Sequence, residues 1–224
     1  MMRVLLVAKP RKKPNIPIEA ERILPRTFLE GDEFTVFEGN KERRLTDLFS
    51  VSIEGEARDV SEVEVILRGD VSRVKRIGEY MDGGRILIEG SVGMHCGNFM
   101  SGGTIEIGGN ADHWLARELQ GGTVICHGDA AHYLASGYRG EKHGMRGGTV
   151  IVHGNAGDFA AEYLAGGSVT IHGSAGDMAG VEMKGGELVI GGDCYRPCGN
   201  MTGGTCTVHG TAHNLLPTFR KIRT

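Results

Sequence analysis

Histidine is the residue whose spacing first invites a chemical reading. His127, His153, His172 and His209 close four near-copies of one phrase: GGTVICHG, GGTVIVHG, GGSVTIHG and GGTCTVHG. Imidazoles at a fixed phase are the raw material of a metal site, whose ligands stand about 2.1 Å from the ion. If the phrases are strands stacked on one another, the first and third histidines of consecutive copies lie roughly 9.6 Å apart, twice the spacing of paired strands. A single ion cannot bind all three, so the column reads as a stacked polar ladder and no metal ligand is assigned. Cys194 and Cys198 make a CxxxC pair that fits no strong zinc or iron–sulfur signature. His113, His132, Asp112, Asp158 and Asp177 supply the acids and bases of a triad, yet they recur beside turn glycines, where aspartate caps turns. Neither a phosphate-binding GxxxxGK motif nor a GxGxxG opening a helix is present. No catalytic, cofactor-binding or metal residue is therefore assigned in this chain.

What positions these residues is a repeat. Glycine pairs begin at Gly83, Gly102, Gly121, Gly147, Gly166, Gly185 and Gly203, spaced 19, 19, 26, 19, 19 and 18 residues apart. After each pair comes a short strand pattern with apolar residues at alternate places: Ile86 and Ile88, Ile105 and Ile107, Val124 and Cys126, Val150 and Val152, Val169 and Ile171, Leu188 and Ile190, Cys206 and Val208. Alternate residues face one way in a strand. A small residue (Val92, Ala111, Ala130, Ala156, Ala175, Cys194, Ala212) and a Met or Leu before the next pair (Met81, Met100, Leu119, Met145, Leu164, Met183, Met201) recur at fixed offsets. A unit of 19 residues cannot bury its own apolar side and must stack on its copies. The expected fold is all-β, a right-handed parallel β-helix with about 19 residues per rung. By strand spacing it forms a rod roughly 35 to 45 Å long. Glycine at the corners supplies the positive φ that bends the chain.

Residues 1–60, with Pro10, Pro14, Pro17 and Pro25, read as an irregular amino-terminal arm with degenerate first rungs. Residues 61–212 are the repeat region and 213–224 a tail that caps it. A net charge of −3 exerts no general pull on nucleic acid or anionic membrane. No apolar run reaches the roughly 20 residues of a membrane span, and VLLVA is too brief for a secretory signal. The expected location is the cytoplasm, where five cysteines read as free thiols.

Contact with other molecules is then expected on the outside of the rod. The outward column Leu87, Glu106, Ile125, Ile151, Thr170, Val189 and Thr207 is apolar at four of its seven places. Apolar residues on a face that should meet water mark a covered surface. Either the amino-terminal arm or a partner protein covers it. The 26-residue unit carries seven extra residues within SGYRGEKHGM, a loop presenting Tyr138, Arg139, Glu141, Lys142 and His143. Leu87, Ile125, Ile151 and this loop are the candidate partner interface. Arg139 and Lys142 are also placed to help hold an acidic coenzyme tail.

The repeats with their insertion, SGYRGEKHGMRGGTVIVHGNAGD, and the opening stretch PIEAERILPRTF…LFSV…RIGEYMDGGRILIEG resemble the C subunit of formylmethanofuran dehydrogenase over nearly the whole chain. A more distant similarity is to the glycine-repeat carboxy-terminal domain of glutamate synthase large subunits. The first resemblance implies a subunit of an archaeal oxidoreductase complex that reduces carbon dioxide and fixes it on methanofuran, the opening step of methanogenesis. It implies partner subunits carrying molybdenum or tungsten on a pterin, an iron–sulfur cluster and a dinuclear metal site in an amidohydrolase-like chain. It implies that this chain is a β-helical scaffold without a cofactor of its own, with methanofuran possible nearby. The alternatives are the C subunit of a formyltransferase/hydrolase complex, a stand-alone glutamate synthase repeat domain, or an autonomous ligand-binding β-helix.

Overall fold

The computed structural model describes residues 1–31, 33–138 and 140–220. The chain opens with β1 (Met2–Ala8), β2 (Ile18–Glu19), helix α1 (Pro25–Glu30), β3 (Thr35–Glu38), β4 (Lys41–Arg44), helix α2 (Leu45–Leu48) and β5 (Phe49–Glu54). The repeat follows as β6 (Val63–Arg68), β7 (Val74–Lys75), β8 (Asp82–Ile88), β9 (Gly102–Ile107), β10 (Thr123–Cys126), β11 (Thr149–Val152), β12 (Ser168–Ile171), β13 (Lys184–Ile190), β14 (Cys194–Tyr195), β15 (Gly203–Val208) and β16 (Ala212–His213).

The glycine-led strands pair in parallel, as the period predicts. One ten-stranded sheet runs β15-β13-β12-β11-β10-β9-β8-β6-β1-β5. Its only antiparallel pair among the described residues is β1 with β5. Register is constant: Ile86 faces Ile105, Ile105 faces Val124, Val124 faces Val150 and Val150 faces Val169. A second side is a column of single parallel bridges, Val71–Val92–Ala111–Ala130–Ala156–Ala175. The methionine and leucine column closes the third side, and Met81, Met100, Leu119, Met145, Leu164 and Met183 are wholly buried. The chain is thus a parallel β-helix whose interior is filled by its own repeated columns.

Two kinds of corner turn the chain. At the second glycine of each pair φ lies between +74° and +91°, from Gly84 to Gly204. The first glycine serves close approach, since a Cβ on Gly102 would stand 2.6 Å from the Asp82 carbonyl of the rung before. The other corner departs from expectation, because side-chain-bearing residues bend it. His95, Trp114, Tyr133, Phe159 and Met178 have φ of 59–66°, and Ala116, Ala135 and Ala161 two residues later are also left-handed. Such residues cost roughly 1–2 kcal/mol each. Hydrogen bonding to both neighbouring rungs offsets the cost: Trp114 N–H donates to the His132 carbonyl at 3.0 Å and Ala116 N–H to that of Cys96 at 2.8 Å. The intervening Leu115 and Leu134 drop into the core.

The amino-terminal arm holds more regular structure than its prolines announce. It places β1 beside β6 in the main sheet and builds a small sheet, β4-β3-β2-β7, on the first rung. Phe28, Phe34, Leu45, Leu48 and Phe49 are buried there and close that end of the core. At the other end Leu215 and Phe219 remain 50% and 45% exposed beside the last rung, and residues 221–224 of the tail lie outside the described residues.

All five cysteines are free. Burial pushes the Cys96 and Cys126 thiols up, and the Cys194 thiol to about 11. Cys206 is the least buried, and a hydrogen bond with Cys198 lowers its thiol. We expect an aromatic disulfide reagent at pH 8 to titrate Cys206 first in the native protein. Cys206→Ser should remove that fast phase, and equal reaction of all five would contradict the burial.

Candidate docking surfaces

Three columns cover the outer face of the main sheet. Register places Leu5, Ile66, Leu87, Glu106, Ile125, Ile151, Thr170, Val189 and Thr207 side by side. This extends the predicted apolar column by Leu5 and Ile66. Leu87, Ile125, Ile151 and Val189 are half-buried among their neighbours, whereas Ile66 is only 8% exposed. The arm covers the edge near β6: α1 and the turn at Val60–Glu62 pack against Gly83 and Gly84 at the start of β8.

One flank of this strip is hydroxyl-rich, with Thr104, Thr123, Thr149 and Ser168 in register. The other is the histidine ladder. The rings of His127, His153 and His172 stack with centroids 5.0 Å apart and planes within 9°. Stacked rings leave no shared point for an ion, and among the described residues no group of three or more metal-ligating side chains is placed to hold one. The ladder instead joins, through a hydrogen bond from His127, a line of ion pairs across the strands. Arg3 meets Glu64 at 3.0 Å, Arg85 meets Glu64 at 3.4 Å and Glu106 at 2.6 Å, and Glu106 meets His127 at 3.0 Å. Hydrogen bonds from His127 and Arg85 hold the Glu106 carboxyl below its ordinary range.

Of the triad-like residues, His132 and Asp158 are rung-to-rung caps, Asp112 accepts from its own neighbour His113, and the Asp177 carboxylate pairs with Arg196. Asp158 N–H donates to His132 Nδ1 and Asp177 N–H to Asp158 Oδ1, each at 2.8 Å. Beside them a second column passes one bond per rung: Asp129 N–H to Asn110 Oδ1, Asn155 N–H to Asp129 Oδ1 and Ser174 N–H to Asn155 Oδ1, at 2.7–2.9 Å. His132, Asp158, Asn110, Asp129 and Asn155 thus each spend an acceptor on the backbone of the following rung.

Sequence reasoning missed a further column. His95, Trp114, Tyr133 and Phe159, all at left-handed corners, stack at 5.1, 5.1 and 5.2 Å. Their spacing of 19, 19 and 26 residues repeats that of the glycine pairs and was the available signal. The insertion lands beside this column. Tyr138 packs at 6.2 Å from Trp114, and the Arg117 guanidinium lies between the Tyr138 and Phe99 rings, 4.9 and 4.6 Å from their centroids. The Lys142 carbonyl accepts from Lys184 Nζ. Tyr138, Glu141, Lys142 and His143 are exposed; Arg139 lies outside the described residues. The candidate interface thus forms two groups, the apolar strip on the sheet and the loop beside the aromatic corner.

Burial, aided by Arg117, draws His95 down to about 4. The unfolded chain takes up this proton below about 6.5 while the folded one does not, so the stability is whole above that pH and falls as pH drops toward 4. Between pH 7.5 and 4.5, unfolding titrations should show the wild type losing about 2 kcal/mol more than His95→Phe, after allowance for partial exposure. Equal losses would refute the neutral histidine.

Fold and surface together define a glycine-repeat parallel β-helix that carries its distinctive chemistry in outward columns. Within that class the resemblance to the family of formylmethanofuran dehydrogenase C subunits is borne out by relatives of that name. The chain is 39% identical over 98 residues to the C subunit of tungsten-containing formylmethanofuran dehydrogenase 2 from Methanothermobacter marburgensis, a match covering 41% of this chain and 36% of the relative. It is 38% identical over 100 residues to the C subunit of the molybdenum-containing enzyme 1 of Methanosarcina barkeri, covering 42% and 32%. These matches span about a third of each relative's length. In structure the chain is similar to one from the formyltransferase/hydrolase complex of Methylorubrum extorquens, solved with methylofuran. The TM-score is 0.84 at 25% identity, over 96% of this chain and 79% of that one. No family model matches. None of the described helices is long and apolar enough to cross a membrane.

Proposed function

We propose that this chain is a non-catalytic scaffold subunit of a formylmethanofuran dehydrogenase-type complex. Its apolar outer strip holds the pterin subunit and the amidohydrolase-like subunit in position, and the metals and the chemistry belong to those chains. The observation that carries this reading is the strip itself: Leu87, Ile125, Ile151 and Val189 in one column of a sheet face, interrupted by Glu106 and Thr170 and flanked by a threonine ladder and a histidine ladder. Regular hydroxyl and imidazole columns around an apolar core match the polar rim and apolar centre of a protein interface. The named relatives support this choice of complex.

Affinity purification of the chain from its native cell, followed by identification of what travels with it, tests the proposal. A subunit binding molybdenum or tungsten on a pterin is the expected companion. Turnover by the chain alone would refute the scaffold role. The structural likeness to the formyltransferase/hydrolase complex favours one second reading, in which the companions form a hydrolase and carry no pterin. Expressed alone, the chain should self-associate through the bare strip.

A further inference from the structure

Beside the 138–143 loop lies a cavity of about 420 Å³, walled by Trp114, Tyr133, Tyr138, Phe159, Tyr163 and Glu162. Its two outer rings already contact cations of the chain's own. Arg117 lies on Tyr138 at 4.9 Å, and Lys184 lies over Tyr163 at 5.4 Å. In rung order this gives Phe99, Arg117, Tyr138, then the cavity, then Tyr163 and Lys184, so rings and cations alternate on either side of it. Those two cations are engaged, Arg117 with Glu118 at 3.8 Å and Lys184 with the Lys142 carbonyl.

The cavity's charge has the complementary sign. Glu162 lines it, and among the described residues neither Glu162 nor the adjacent Glu182 has an ion-pair or side-chain hydrogen-bond partner. Burial and Glu182 both push the Glu162 carboxyl up, an electrostatic cost that an incoming cation relieves. Aromatic walls with a carboxylate favour an organic cation over an anion or a neutral group. A flat guanidinium stacks on rings and pairs with a carboxylate at once, which a compact ammonium does less well.

We propose that this cavity receives the guanidinium of an arginine side chain from a partner subunit, held between Tyr138 and Tyr163 with Glu162 as counter-charge. The partner is the one the proposed function requires, and the inference rests on that reading. Trp114, the chain's single tryptophan, lines the cavity and reports on it by fluorescence.

The test titrates the full chain at pH 8 with N-acetyl-argininamide and with its neutral citrulline analogue. The arginine probe should give a saturable change in Trp114 emission in the millimolar range, weakened at least about tenfold in Glu162→Gln and in Tyr163→Leu, with no saturable response to citrulline. Unchanged thermal melting of the two variants excludes misfolding. An equal response to citrulline, an unaffected Glu162→Gln, or no response from either the wild type or Arg139→Ala would overturn the site. A response that emerges only after Arg139→Ala would assign the site to the chain's own arginine and overturn the partner assignment. Probe binding requires no partner, so a chain that binds arginine but purifies without companion subunits would refute the scaffold reading and the partner assignment, and leave the guanidinium site itself standing. A native complex that forms normally with a chain blind to the probe would refute the site alone.

Discussion

Alanine at Gly148 should destabilise the rod by about 3 kcal/mol or more, and alanine at Gly140 by only about 1–2. Both glycines are left-handed, with φ of +88° and +92°. They differ in what a methyl group would meet. At Gly148 the Cβ would lie 2.7 Å from the Gly122 carbonyl oxygen and 2.9 Å from the Gly121 carbonyl carbon, backbone atoms of the rung before. At Gly140, in the exposed insertion, nothing stands within 4 Å. Gly140→Ala therefore incurs the conformational cost alone, whereas Gly148→Ala must also push two rungs apart. The strands at that junction, β10 and β11, are in register from Thr123 with Thr149 to Cys126 with Val152, and the displacement loosens that pairing. In a stacked repeat each rung is stabilised chiefly by its neighbours, so damage in the middle uncouples the two ends. Thermal melting should show Gly148→Ala lowered by roughly 10 °C and broadened, with Gly140→Ala within a few degrees of wild type. Equal shifts would mean that rung contact is not what the paired glycines provide.

That contrast also indicates what could be read in advance. The glycine period and the alternating apolar residues fixed strand direction, register and core, because a stacked repeat transmits each local preference unchanged to the next copy. Val124, Val150 and Val169 stand where alternation put them, buried and mutually paired. The histidine column was legible for the same reason, since its phase follows from the strand. The aromatic column was not. His, Trp, Tyr and Phe share a stacking surface but no single letter, and left-handed φ at non-glycine residues has no compositional mark. The arm was obscure because β1 lacks a glycine pair and joins the main sheet across a long intervening stretch, β1 ending at Ala8 and β6 beginning at Val63. Of the candidate interface, the apolar strip follows from alternation, while the loop's place beside Trp114 depended on the unread corner.

A glutamate at Ile125 or Ile151 should separate assembly from folding. Both side chains point away from the core, next to one another on β10 and β11, and are half-buried only by neighbours on their own face. In the free chain a glutamate there keeps its carboxylate in water, so the melting temperature should move by only a few degrees. Against a partner the same carboxylate loses its water and gains no counter-charge, at a cost of about 3 kcal/mol or more, roughly a hundredfold in affinity. Glu106 already occupies this column without that liability, because Arg85 at 2.6 Å supplies its counter-charge and a hydrogen bond with His127 at 3.0 Å holds it in place. The substituted glutamates would have His153 or His172 near their column but no arginine in register. We therefore expect Ile125→Glu and Ile151→Glu each to strip companion subunits from the purified complex, and Tyr195→Ser, an exposed change outside the main sheet, to leave them bound. Retention of companions by the double glutamate variant, at the wild-type ratio and with an intact fold, would move the docking surface elsewhere on the rod.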